Sequence, residues 1–101
     1  GAGGGAGGGG GAALEPLEDE YDALAERVGE IEKMVSRGVA ANLRAIIQGR
    51  LHSLDERLTQ HMCAIDVTDV PDEGRAAKRE LIRRMDALCS RLATVTATFT
   101  A

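Results

Sequence analysis

The chain has 101 residues, 16 of them acidic and 12 basic, for a formal charge of −4, which allows one small domain with a modest core. The negative balance argues against nucleic acid or an anionic membrane as partner, and no run of about 18 apolar residues is present to span a bilayer. With one Phe, one Tyr and no Trp, the core falls to aliphatic side chains.

Gly1 to Gly11 is glycine and alanine only and holds nine of the 13 glycines. Such a stretch cannot build a core and behaves as a flexible coil. Residues 1–13 are therefore expected to be a linker to an upstream domain, and 14–101 the folding unit. A chain that starts with Gly is expected to be a fragment or a processed product. Pro16 suits the first turn of a helix, and Glu15, Glu18, Asp19 and Glu20 suit the positive end of its dipole. The first helix is expected over about 17–37, where Leu17, Tyr21, Leu24, Val28, Ile31 and Val35 step by fours and threes. Gly38, after Lys33 and Arg37, fits a helix closed by a left-handed glycine. Gly29 costs about 1 kcal/mol relative to Ala and is expected to admit close approach of a neighbouring helix. Eight acids against three bases between Glu15 and Arg37 make this helix strongly negative.

The second helix is expected over about 40–66. Leu43, Ile47, Leu51, Leu54, Leu58, Met62 and Ile65 give an unbroken apolar face, and His52, Asp55, Glu56, Thr59, Cys63 and Asp66 a polar stripe. Thr68, Asp69, Pro71 and Asp72 then mark a loop. The third helix is expected over about 73–95, with Leu81, Met85, Leu88, Leu92 and Val95 in heptad steps; the Thr94–Phe99 end reads as a fraying tail. Between Arg75 and Arg91 stand six bases and two acids, so this helix complements the first. Three such helices joined by short loops define an all-α antiparallel three-helix bundle.

Little in the chain suggests chemistry. His61 and Cys63 are two positions apart, about 200° around a helix, so they face opposite ways, with His61 at the edge of the apolar face. Cys63 and Cys89 match no metal or redox spacing and read as free thiols in a reducing compartment. The glycine run lacks the lysine of a phosphate loop. The expectation is no enzyme, no metal and no cofactor. The basic run from Lys78 to Arg84 reads on its charge alone as a solvated helix face; without aromatic platforms it is a poor nucleic-acid site.

Three stretches together resemble the BAG domain, the family of chaperone regulators, in its plant-type short three-helix form. DALAERVGEIEKMVSRG (22–38) is similar to the family's opening helix, an aliphatic heptad closed by a basic residue and glycine. CAID (63–66) is similar to the aliphatic-aspartate end of the second helix. RAAKRELIRRMDALCSRL (75–92) is similar to the basic third helix. The resemblance implies a co-chaperone that binds the nucleotide-binding domain of heat shock protein 70 through helices two and three and promotes exchange of ADP for ATP. It places family contacts at Glu56 and Asp66, ten residues apart on helix two. On helix three it places them at Lys78, where the family has arginine, and at Asp86, where it has glutamine. Arg79 stands beside Lys78 as a substitute cation, and Arg83 and Arg84 keep the family's two bases. Lysine lacks the bidentate fork of arginine, and Asp86 exchanges a neutral donor for an anion. The implied protein is a monomer, with a dimer as the alternative, acting in the cytoplasm or the nucleus in stress response and apoptosis regulation. Two other readings stay open: a helical association module pairing chains through the heptads at 17–35 and 81–95, and a nucleic-acid binder using Lys78 to Arg84.

Overall fold

The computed structural model describes residues 11–101, so the linker expected over 1–13 lies almost wholly outside the described residues. Helix α1 spans Gly11–Arg37, α2 Arg44–Asp66 and α3 Arg75–Thr100, with 3-10 turns at Ala41–Leu43 and Asp72–Gly74. Each helix packs against the other two, and there is no strand among the described residues. The fold is the all-α three-helix bundle that the periodicity dictates.

The apolar stripes meet in one core. α1 supplies Leu14, Leu24, Val28 and Ile31; α2 supplies Ile47, Leu51, Leu54, Leu58 and Ile65; α3 supplies Leu81, Met85, Leu88, Leu92, Val95 and Phe99. Leu17, Tyr21, Val35 and Met62 pack half-buried against it. The two heptad stripes thus pack into the core of the chain itself. α1 starts well before the expected position near 17, which puts Pro16 inside the helix. The reason is Leu14, which extends the α1 stripe and is 1% exposed. At the start of the second helix the opposite correction applies. Leu43 closes a 3-10 turn rather than an α-turn, and the different rotation per residue leaves it 45% exposed. α2 is continuous through Gly49.

The third helix does not fray at Thr94. It continues to Thr100 because Phe99 is buried and Arg44 reaches across from the start of α2. The Arg44 guanidinium donates to the Phe99 carbonyl at 2.8 Å and lies 4.2 Å from the ring centroid, so one cation serves a helix end and an aromatic face. At the far end of α2, Lys78 Nζ donates to the carbonyls of Asp66 at 3.0 Å and Thr68 at 2.9 Å. His61, buried on α2, is held by the Leu17 carbonyl at 2.8 Å from Nε2. A carbonyl only accepts, so Nε2 carries the hydrogen.

Gly38 ends α1 with φ 92°, the left-handed conformation expected of a closing glycine, and its N–H donates to the Val35 carbonyl. Gly29 is not a close-approach site: a Cβ there would meet only Arg91 Nη2 at 3.9 Å. The opposite charges of α1 and α3 meet in one bidentate pair, with Arg91 Nε and Nη2 at 3.1 and 2.6 Å from the two Glu32 oxygens. Arg84 lies over the Tyr21 ring at 5.8 Å, and Arg57 of α2 joins Glu20 of α1 at 3.0 Å.

Candidate functional site

The α2 residues that periodicity assigns to solvent (His52, Asp55, Glu56, Thr59, Cys63 and Asp66) are all exposed. None serves the core. Glu56 Oε2 lies 3.5 Å from His52 Nε2, one turn away, and both side chains are more than half exposed, so solvent screens this contact and leaves the carboxylate available. Asp66 is the last residue of α2. Its backbone carbonyl accepts from Lys78, while its carboxylate makes no ion pair among the described residues.

The basic patch on α3 divides by partner. Lys78 is half-buried, with its ammonium engaged by two carbonyls at the end of α2. Arg79 is exposed and has no ion pair among the described residues. It lines a hollow of about 340 Å³ with Asp69, Val70 and Ile82. Arg83 bonds Glu80 at 2.7 Å on the outer surface, and Arg84 turns toward α1 and Tyr21. Arg79 and Arg83 are thus the bases of this run that project from α3 without holding another helix.

Asp86 is exposed on α3. On the same helix Cys89 is half-buried; burial pushes its thiol up, and the charges of Asp86 and Asp55 push it further. Such a thiol stays protonated and is a poor nucleophile. Helices α2 and α3 thus carry exposed bases at Arg79 and Arg83 and exposed acids at Asp55 and Asp86. Sequence periodicity places Asp55 on the polar stripe, and it is exposed there.

No group of three or more His, Cys, Asp or Glu is arranged to hold a metal among the described residues. No helix among them is long and apolar enough to cross a membrane. Compared with family models, with curated proteins and with solved structures, the chain matches none.

Proposed function

We propose that the chain is a co-chaperone module of the BAG type, which docks its α2–α3 face on the nucleotide-binding domain of heat shock protein 70 and promotes nucleotide exchange. The observation that carries this reading is the exposure of Glu56, Asp66, Arg79, Arg83 and Asp86 on the two helices that the resemblance assigns to contact. Glu56 and Asp66 offer carboxylates to basic groups of the chaperone. Arg79 takes the cationic role in place of Lys78, whose ammonium is occupied by the end of α2. Arg83 adds a second cation at the rim, whereas Asp86 sets an anion where the family presents a neutral donor.

In this reading the module forms and breaks no covalent bond. It binds the open state of the chaperone's nucleotide cleft better than the closed one, and reciprocity then requires that nucleotide affinity falls. A rigid bundle suits the task, because a docking face that deformed on contact would lose part of that difference. The module would act where the chaperone does, in the cytoplasm or the nucleus.

The test is release of a fluorescent ADP analogue from a purified heat shock protein 70 nucleotide-binding domain. Saturable acceleration by the chain, lost in Glu56→Ala and Asp66→Ala with helicity unchanged, supports the reading. Absence of both acceleration and co-elution rejects it. Co-elution without acceleration keeps docking and rejects exchange, and Asp86→Gln restoring exchange would then name the cause.

A further inference from the structure

Between Glu32 and Asp55 the chain has no acid, while Lys33, Arg37, Arg44 and Arg50 all fall in that interval. Folding brings this run together at one end of the bundle, where α1 ends and α2 begins. The large apolar side chains left exposed among the described residues are Met34, Leu43, Ile46 and Val67. The first three line a single hollow of about 380 Å³ between α1 and α2. A second hollow of about 360 Å³ continues along the same seam, sharing Met34 and Arg50 and adding Arg27 and Glu30. Arg44 and Arg57 are tied to Phe99 and Glu20. Arg27, Arg37 and Arg50 make no ion pair among the described residues, and Glu30 is the one acid lining either hollow.

We propose that this seam docks an acidic amphipathic helix of a partner protein, which takes the position of a fourth helix. Apolar side chains of the guest enter the hollow beside Met34, Leu43 and Ile46, and its flanking carboxylates meet Arg27, Arg37 and Arg50. From Leu43 to Leu54 the seam runs about 16 Å at 1.5 Å per residue, room for about three turns of a guest helix. A bundle of three helices with one apolar seam open is one helix short of the common four-helix arrangement. A lipid surface would meet apolar groups on a protruding face, whereas these line a depression. A second copy of the chain is a poor guest: its acid-rich segment, the first half of α1, has Leu14 and Leu24 buried in its own core and no apolar face to offer. The seam lies off the α2–α3 face, so the proposal stands or falls independently of chaperone binding.

The probe is a fluorescein-labelled peptide of about 18 residues with leucines at helical spacing and glutamates elsewhere, titrated with the full chain and followed by anisotropy. Saturable binding is expected, weakened at least about tenfold by Ile46→Asp or Arg50→Glu, and weakened by added salt. The same leucine pattern with lysines in place of glutamates should not bind. Both substituted positions are exposed, so the variants should keep their helicity by circular dichroism. Three results overturn the proposal. One is no saturable binding, or equal binding of the lysine peptide. Another is binding to phosphatidylserine vesicles, with no peptide binding, that Ile46→Asp abolishes. The third is a concentration-dependent dimer that Ile46→Asp dissolves.

Discussion

At the end of the bundle that carries the α2–α3 loop, the Lys78 ammonium reaches back to the carbonyls of Asp66, the last residue of α2, and of Thr68 in the loop. At the opposite end Arg44 treats the Phe99 carbonyl in the same way, but its neighbours Arg37 and Arg50 flank an apolar hollow and have no ion-pair partner among the described residues. The difference is one of reach. A cation within hydrogen-bonding distance of orphan carbonyls becomes part of the fold. One with no acceptor within hydrogen-bonding distance keeps its charge for a partner. Lys78 and Arg79, adjacent in sequence, fall on opposite sides of that line.

The largest expected effect tests what closes the Arg44 end. Phe99→Ala removes a buried ring and should lower stability by about 3 kcal/mol in urea denaturation. Arg44→Ala, which keeps the ring buried, should cost only about 1 kcal/mol. Equal losses would mean that the cation, not the ring, holds this end.

Next in size are the glycines of the same end. Gly38→Ala places a Cβ at φ 92° and should destabilise by about 1.5 kcal/mol. Gly49→Ala, where a Cβ meets nothing within 4 Å, should stabilise by about 1 kcal/mol through helix propensity. Thermal unfolding of the two variants should move in opposite directions.

At the loop end, Lys78→Met keeps the apolar stem and removes the donors, for an expected loss of about 1 kcal/mol. In the proposed co-chaperone reading, a structural Lys78 means that this variant, once folded, should match the parent in the nucleotide-release assay. Arg79→Ala should change stability by less than about 0.5 kcal/mol yet slow exchange. The reverse pattern would return the contact to Lys78.

The smallest effect lies between the ends, at the Glu32–Arg91 pair. Hydrogen bonds from Arg91 hold the Glu32 carboxyl below its ordinary value, against the opposing effect of burial and with help from the Arg91 charge. A carboxyl lowered in the folded state stabilises above its unfolded pKa, near 4.3 for a glutamate, and that contribution fades as the pH falls through the folded value. Glu32→Gln should therefore flatten the acid limb of stability below about pH 4.3. Both side chains are partly exposed, so the change should stay under about 1 kcal/mol.

The helices, their order and most of the core were legible because aliphatic spacing on α1, α2 and α3 is regular and little competes with it. The polar stripe of α2 was legible for the same reason, and every residue of it is exposed. The exceptions cluster where a helix starts or stops. Leu14 lay behind a proline that reads as a first-turn residue, and Phe99 among threonines that read as a tail. Leu43 matched the α-helical period but stands on a 3-10 turn. Leu14 and Phe99 depend on packing in the shared core and Leu43 on a change of helix type, none of which local spacing encodes. The roles within the basic patch were hidden too, because Lys78 acts through carbonyls ten and twelve residues away. The acid-free run from 33 to 54, by contrast, is plain in the sequence; what needed the fold was its meeting with Met34, Leu43 and Ile46.

The two cationic clamps also set an order of assembly. Lys78 closes a span of ten to twelve residues, whereas Arg44 and Phe99 are 55 apart. For a flexible chain the longer closure costs about 1.4 kcal/mol more in entropy, and it waits on α2 and α3 being paired along their length. The loop end of the α2–α3 hairpin should thus form first and its Arg44 end last. In native-state hydrogen exchange, the final turn of α3 and the first turn of α2 should open together, at lower free energy than the loop end. The end that completes itself last is also the end with the unfilled seam, so a guest helix there would slow unfolding more than it speeds folding.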